Sequence, residues 1–430
     1  MSSLSLDTRL TELGYERRWT LYKLLVPVFF LMSMFLFATF ILLKTGIGVW
    51  GVNIPVAWGF AIINFVWWVG IGHAGTFISA ILLLMRQDWR NSINRLAESM
   101  TLFAVACAGL FPLLHLGRPW YFYWLLPYPN DMNLFPQYRS PLVWDAFAVM
   151  TYASVSLLFW YIGLIPDLAA ARDKTKSKIK SVIFGIMSLG WSGTASEWAG
   201  WKRLTWLLAL LATPLVISVH SIVSLDFAVA KLPGWHSPFF PPYFVSGAIY
   251  SGFAMVIVIL LWLRKEFSLE DLITDLHLEK CARYLMISGT FLCYCYALEF
   301  FTVWLGQEHY EMKNIKHEFM GPKAVLFWLM IFCNVVSMQV LWVKKWRKNH
   351  KILFAVSLCV LLGMWLERYV IVVTTLSDTF LPAMKAGYRG TRWDWAILVG
   401  TFGVFAFGMI CVLRFLPFIP ISEIKEERHK

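Results

Sequence analysis

Long apolar runs constrain what this chain can fold into more than any other feature of its 430 residues. Four uncharged runs reach the ~20 residues with which a helix crosses ~30 Å of hydrocarbon, at 24–43, 232–263, 324–343 and 395–413. Only 15% of the residues are charged, against about 25% in soluble domains. We therefore predict an all-α polytopic membrane protein with ten spans, at 24–43, 56–85, 99–116, 140–165, 204–230, 240–263, 284–306, 324–343, 352–376 and 395–413.

Basic residues are divided unequally between the two sides of these spans. Ten spans place both termini on the same side, and that side carries 27 of the 38 Lys and Arg residues, against 10 on the other. The positive-inside rule then predicts that both termini are cytoplasmic, in a bacterial inner membrane. This distribution accounts for the net charge of +12 and indicates the lipid bilayer, not nucleic acid, as the partner of the basic residues.

Five charged side chains fall inside the predicted spans, all in the outer half of the membrane: Asp145, Asp226, Glu299, Glu367 and Arg368. Charges just outside, such as Glu98, are treated as edge residues. A charge in hydrocarbon costs at least ~2.5 kcal/mol on insertion scales, so each of the five needs a partner or a function. Glu299 and the adjacent Glu367 and Arg368 fit either an ion-pair lock between helices or a proton route.

Polar residues of three consecutive spans are expected to meet near the outer face. Span 3 runs outward and ends at His115, span 4 carries Asp145 about five residues inside its outer end, and span 5 carries Asp226 and His220 in its outer part. Consecutive helices with short connections pack as neighbours. We therefore predict a cavity that His115, Asp145 and Asp226 share.

Helix structure alone offers other roles for some of these residues. His115 and Arg118, with the glycine and proline beside them, also form the pattern of a helix C-terminus, which explains Arg118 better than ligand binding does. Asp145 lies near the N-terminus of span 4, where the helix dipole favours an acid. His220 fits a hydrogen bond to a backbone carbonyl as well as it fits a functional role. Asp226 lies toward a helix C-terminus, where the dipole disfavours an acid, so function or an ion pair must explain it.

Bases in an apolar, lipid-accessible pocket suit the oxidation of a quinol, which releases two protons and two electrons. The seven cysteines form no Cys-x-x-Cys pair, and His73 lies in the middle of span 2 without a partner histidine at its depth. We therefore predict no metal site, haem or iron–sulfur cluster in this chain. The electrons then need an external partner that bears iron–sulfur clusters.

His73 is flanked by small residues in the stretch 70–76 (GIGHAGT). This pattern predicts close helix packing around a polar group. His73 is either a packing histidine or a step on a proton path toward the cytoplasm. With Glu299, Glu367 and Arg368 it forms the set of residues that we assign to such a path.

Three stretches resemble the polysulfide reductase membrane-subunit family, the NrfD/PsrC-like proteins: 58–80 (WGFAIINFVWWVGIGHAGTFISA), 104–128 (AVACAGLFPLLHLGRPWYFYWLLPY) and 140–147 (SPLVWDAF). The resemblance covers nearly the whole chain and is greatest to the quinol-binding, ActC-like membrane subunit of alternative complex III. It implies that His115 and Asp145 are quinol ligands, with Arg118 as a weaker candidate, and that Asp226 belongs to the same site or its proton exit. It also implies menaquinol or ubiquinol as substrate, a periplasmic iron–sulfur subunit beside the site, and further membrane and cytochrome c subunits in the complex.

The resemblance further implies two four-helix bundles with two flanking helices. The expected parts are a cytoplasmic tail (1–23), a first flanking helix (24–55), a first bundle with the quinol site (56–230), a second bundle (231–376), and a last flanking helix with a cytoplasmic tail (377–430). A weak parallel duplication agrees with this division, since Gly-Phe-Ala occurs at 59–61 in span 2 and at 252–254 in span 6. Two long connections interrupt the spans: 117–139 outside, and 166–203 inside, which is either an interfacial helix or a solvated loop.

Three other functions remain open. The chain fits a quinone-reactive anchor of a polysulfide-type molybdopterin reductase, because residues alone do not set the direction of electron flow. A proton-coupled transporter is a second alternative, although transporters often have helices broken at the midplane and inverted repeats, whereas these apolar runs are continuous. A purely structural anchor is the third.

Overall fold

The computed structural model describes residues 19–125, 140–379, 381 and 385–424. Within them ten helices are long and apolar enough to cross a membrane, and no strand occurs. The predicted all-α polytopic fold is thus confirmed. In order, spans 1 to 10 are Leu21–Thr45, Phe60–Leu84, Asn94–His115, Pro141–Lys174, Ala195–Ala228, Phe240–Glu266, Asp275–Gly306, Ala324–Trp342, His350–Ser377 and Arg392–Phe415.

Successive spans run in opposite directions, so the start of span 1 and the end of span 10 lie at the same face of the molecule. We call this the proximal face, and we call the opposite face, where spans 3 and 5 end, the distal face. The described residues do not include 1–18 of the predicted N-terminal tail (1–23), 425–430 at the end of the predicted C-terminal part (377–430), or the part of the predicted external connection after Leu125.

Span 2 is the central helix of the structure. Every residue of Phe60–Thr76 is buried, as expected for a helix that is apolar on all sides. Span 2 packs against span 3 and span 6. Spans 4 and 5 pack together, and span 6 packs against spans 5, 7 and 9. We refer to spans 2–5 as the first bundle and to spans 6–9 as the second. Span 1 packs against span 10, which also contacts span 3.

Small residues allow this close packing around the middle of span 2. A Cβ atom at Gly252 in span 6 would lie 2.8 Å from the backbone nitrogen of Ala74, and one at Gly75 would lie 2.1 Å from the carbonyl oxygen of Ala97 in span 3. Larger side chains would therefore separate the helices. The close packing predicted around His73 is confirmed.

Two helices of ten or more residues lie outside the spans in the described part of the chain. Lys178–Met187 forms within the long connection between spans 4 and 5, where Ser177 caps it, and its side chains at Ile179 and Ile186 are exposed. Of the two interpretations of this segment, the structure thus favours the helix that lies at the membrane surface. The second, His309–Met320, follows span 7 at the distal face and was not predicted. We call it the distal helix.

Three spans contain one π-helical turn each: Phe77–Ile81 in span 2, Phe332–Val336 in span 8 and Val370–Thr374 in span 9. Such turns are rare and often occur at functional sites. Here the first follows His73, and the third follows the Glu367–Arg368 pair.

Candidate functional site

A cavity of about 410 Å³ opens at the distal end of the first bundle. Its walls are mainly apolar side chains of spans 2, 3 and 4, among them Ile62, Leu113 and Val149. The polar side chains in its lining are those of His115, Asp145 and Asp226. The structure therefore brings the three predicted residues to one cavity, which we call the distal pocket.

Asp145 and Asp226 are in direct contact. Their carboxyl groups approach each other across the interface of spans 4 and 5. Two carboxyl groups placed side by side can share a proton, because the protonated one donates to the other. One oxygen of each carboxyl, Oδ1, is buried without a hydrogen-bond partner. Each of the two carboxyl groups thus has a free acceptor atom at the pocket.

His115 is the last residue of the span 3 helix. Its ring stacks on the Trp50 indole, with the centroids 6.3 Å apart and the planes at 14°. The helix ends here because Gly117 adopts a positive φ of 69° and its amide donates to the carbonyl oxygen of Leu114. The Nδ1 atom of His115 is buried without a partner. The imidazole is therefore fixed in orientation while one ring nitrogen is available to a ligand.

Arg118 does not reach the distal pocket. Its side chain is exposed, it is absent from the pocket lining, and its carbonyl oxygen accepts the amide of Tyr121. This placement agrees with the helix-end role of Arg118 and gives its ligand role no support.

His73 and His220 face each other deeper in the first bundle. Their ring centroids are 4.7 Å apart, so the expectation that His73 has no partner histidine at its depth is wrong. His73 Nδ1 lies 2.8 Å from the carbonyl oxygen of Val69, and its ring also stacks on Tyr152. Both ring nitrogens of His220 are buried without a partner. His220 therefore belongs to this pair and not to the distal pocket.

In the second bundle, the Glu367 carboxylate is surrounded by donors from three spans. It accepts hydrogen bonds from Arg368 (2.5 Å), from the Tyr296 hydroxyl in span 7, and from the Asn334 amide in span 8 (3.5 Å). The Arg368 guanidinium also lies 4.1 Å from the centre of the Phe244 ring in span 6. A carboxylate bound in this way connects helices to one another. For Glu367 and Arg368 the geometry therefore favours the ion-pair lock between helices over the proton route. Glu299 makes no ion pair in the described part of the chain.

A buried ionic cluster at the proximal end of the first bundle was not predicted. Arg95 donates to Asp167 (3.2 Å) and to the carbonyl oxygen of Gly163, and it also lies 3.8 Å from Glu98. Asp167 further accepts the Ser422 hydroxyl at 2.7 Å. Glu98 is buried in the span 3 helix, which begins at Asn94, so this charge near the end of the span is part of the cluster. The Arg-x-x-Glu spacing at 95–98 was the available signal.

The described residues contain no cluster of three or more His, Cys, Asp or Glu that could hold a metal ion. At the distal pocket, three buried polar atoms without partners belong to residues that line an apolar cavity. This combination fits a ligand with an apolar body and two hydrogen-bonding groups. A quinol has this chemistry.

Comparison with known proteins places the chain in a family. The family described as polysulphide reductase, NrfD, matches residues 48–377. A putative membrane subunit of dimethyl sulfoxide reductase from Halobacterium salinarum is 25% identical over 420 residues, covering 89% of this chain and 90% of the relative. A selenate reductase subunit from Mesobacillus selenatarsenatis is 20% identical over 399 residues, covering 87% and 88%. The family match spans most of the chain, so this multi-pass membrane protein belongs to the polysulphide reductase NrfD family.

Proposed function

We propose that this chain is the quinol-oxidising membrane subunit of a respiratory complex, with the distal pocket as the quinol site. The observation that carries the proposal is the convergence of three unpartnered polar atoms on one apolar cavity: His115 Nδ1, Asp145 Oδ1 and Asp226 Oδ1. The positive-inside distribution supports a periplasmic position for the pocket.

The residues of the pocket supply an acceptor for each hydroxyl proton. The carboxyl pair accepts one proton at a free Oδ1 atom, while His115 Nδ1 accepts the other when its own proton is on Nε2. The ring of the quinol lies against apolar walls such as Val149. Oxidation to the quinone then releases two protons to these bases and two electrons.

The electrons leave to a partner protein. The described residues provide no cluster of metal ligands that would carry them. Because the pocket lies at the distal face, an iron–sulfur subunit docked on that face accepts the electrons over the shortest path. The distal location thus supports both a partner and the side on which it binds.

The test is the quinol:acceptor activity of the purified complex with Asp145→Asn or His115→Ala. Asparagine keeps the size of the side chain but cannot take a proton, so we expect kcat to fall by about 10²-fold or more, within the range for loss of a general base. The matched control is Asp173→Asn, an exposed aspartate at the opposite end of the same span. Wild-type rates in both pocket variants, with an intact complex, would refute the site.

The two relatives favour a second candidate for the partner. Their names describe subunits of dimethyl sulfoxide and selenate reductases. In this alternative the chain anchors a molybdopterin reductase and passes quinol electrons to it, whereas the alternative complex III interpretation requires cytochrome c subunits. Metal analysis of the complex purified through this chain distinguishes the two: molybdenum supports the reductase, and covalently bound haem without molybdenum supports the cytochrome complex.

A further inference from the structure

A second, polar pocket of about 250 Å³ lies at the proximal end of the first bundle. Its walls come from the turn after span 2, the N-terminal part of span 5, and the segment after span 10. The chemically important members of its lining are Arg86, Arg90, Lys202, Thr205, Trp206 and Glu423. None of these contributes to the distal pocket.

The pocket lies at the level where phospholipid headgroups meet the protein. Span 5 is 34 residues long, about 51 Å at 1.5 Å per residue, which exceeds the ~30 Å of hydrocarbon. Counting ~20 residues back from its distal end at Ala228 reaches about residue 209. Trp206 therefore lies near the hydrocarbon boundary, and Lys202 lies in the headgroup layer, one turn beyond it.

Apolar side chains continue from the pocket into the hydrocarbon layer. On span 5, Leu207, Leu210 and Leu211 follow Trp206 and are exposed, and Met85 is exposed beside the turn after span 2. This arrangement, a tryptophan at the hydrocarbon boundary and leucines on its hydrocarbon side, suits a bound lipid. The tryptophan ring lies at the level of the headgroup, and the acyl chains lie along the leucines.

The polar groups of the pocket favour a single negative charge. The lining has three basic and two acidic side chains, Asp88 and Glu423, so its net charge is +1. Arg90 is neutralised by Glu423, at 3.4 Å, and Asn94 also donates to that carboxylate, at 2.9 Å. Arg86 makes no ion pair within the described residues. It lies in the turn after span 2, where its φ is +55°. Its guanidinium is thus available to an anion.

A hydroxyl without a partner also faces this pocket. Thr205 Oγ1 is buried and has no hydrogen bond, although a helical threonine ordinarily bonds to a carbonyl one turn earlier. A phosphate oxygen would accept this hydroxyl and the Arg86 guanidinium together. Basic pockets between helices at the cytoplasmic side are known to bind anionic lipid headgroups.

We propose that this proximal pocket binds the phosphodiester headgroup of an anionic glycerophospholipid, with Arg86 and Thr205 as phosphate ligands and Trp206 beside the glycerol. The lipid fills the gap between span 5, the turn after span 2 and the segment that carries Glu423. It therefore joins the first bundle to the C-terminal end of the chain at the proximal face.

The test uses the purified complex, stripped of loosely bound lipid and mixed with equal amounts of phosphatidylglycerol and phosphatidylethanolamine. Native mass spectrometry then counts the lipids retained. We expect wild type to retain phosphatidylglycerol in preference, and Arg86→Gln to retain about tenfold less of it. Thr205→Val, which keeps the shape and charge of the pocket, should lower retention by about threefold. The matched control is Lys265→Gln, an exposed basic residue at the proximal end of span 6.

Three outcomes would overturn the proposal. Equal retention by wild type, Arg86→Gln and Lys265→Gln would remove the site. Equal retention of the two lipids by wild type would refute its anionic preference. Complete displacement of the lipid by millimolar inorganic phosphate would show a free-phosphate site instead of a lipid site. Because these measurements do not involve quinol turnover, they stand apart from the fate of the distal pocket.

Discussion

At the level of single residues, unsatisfied polar atoms identify the distal pocket. A buried polar group without a hydrogen bond costs about 1–3 kcal/mol, and three such atoms face this one cavity. A ligand that bonds to all three offsets this cost, which favours a bound state. Three ring nitrogens of the His73–His220 pair also lack partners, but neither of these residues lines the distal pocket.

Sequence reasoning found the residues of the pocket but not their contacts. Asp226 was identifiable because a carboxylate near a helix C-terminus opposes the dipole. Its proximity to Asp145 depends on how spans 4 and 5 are rotated about their axes, which hydropathy does not determine. The His73–His220 contact was missed for the same reason: depth along a helix was predicted, and facing direction was not.

Glu318 in the distal helix provides a test of pH dependence outside the spans. Burial, opposed by the hydrogen bond from Asn314 and assisted by the charge of Glu311, raises the pKa of Glu318 from 4.5 to about 8. The folded state thus keeps a proton that the unfolded state loses. The stability that this proton provides is fully present below about pH 4.5 and is lost as pH rises through about 8.

The variant Glu318→Gln resembles the protonated side chain at every pH. We therefore expect its melting temperature to exceed that of wild type at pH 9, by about 2 °C, and to equal it at pH 4.5. Thermal unfolding of the detergent-purified protein measures this. The control is Glu270→Gln, an exposed acid in the proximal turn after span 6, which should show no pH-dependent difference. Identical curves for wild type and Glu318→Gln at pH 9 would contradict the prediction.

At the level of elements, apolar run length predicted where helices cross the membrane but not where they end. Each of the ten predicted runs overlaps one observed span, but their ends differ: span 2 begins at Phe60 and not at 56, and span 4 continues to Lys174, well past its predicted end at 165. Helices continue beyond hydrocarbon wherever caps and neighbours support them, so hydropathy does not determine where they end. The π-helical turns also leave no hydropathy signal, because one extra residue in a turn does not change composition.

The proximal ionic cluster joins spans 3 and 4 to the segment after span 10, and its loss should destabilise the first bundle. Removing one partner of a buried pair leaves the other charge uncompensated, which typically costs 3–5 kcal/mol. We expect Asp167→Ala to lower the melting temperature of the complex clearly. The control is Asp173→Ala on the same span. Asp173 belongs to an exposed ion pair, so this change should have almost no effect on the melting temperature. Equal melting temperatures for the two variants would show that the Arg95–Asp167 pair is not structurally important.

A series of polar contacts surrounds span 2 close to His73. The Tyr152 hydroxyl lies 2.6 Å from Thr76 Oγ1, and the Thr101 hydroxyl donates to the carbonyl oxygen of Gly72. If this series conducts protons, His73→Ala should reduce proton exchange at the proximal face about tenfold while quinol oxidation continues. Proteoliposomes with a pH indicator on each side measure this, with the exposed His309→Ala as control. Unchanged proton movement on both sides would leave His73 as a packing residue.

For the whole molecule, charge predicts orientation independently of any helix packing. Composition and the distribution of Lys and Arg indicated the membrane, the number of spans and the side of the termini before any contact was known. The arrangement of the ten helices required three-dimensional structure, because close approaches such as Gly252 on Ala74 depend on particular residues at particular depths. The orientation itself is still a prediction, and the direction of proton release depends on it.

Cysteine labelling tests this orientation directly. Lys178→Cys lies in the proximal surface helix and Lys316→Cys in the distal helix, and both native side chains are exposed. The seven native cysteines are buried or half-buried, so wild type should give a low background with a membrane-impermeant maleimide. If the distal face is periplasmic, Lys316→Cys is labelled in intact spheroplasts and Lys178→Cys only after permeabilisation. The reverse pattern would place the distal pocket at the cytoplasmic face, where quinol oxidation would release its protons into the cytoplasm and could not build a gradient across the membrane.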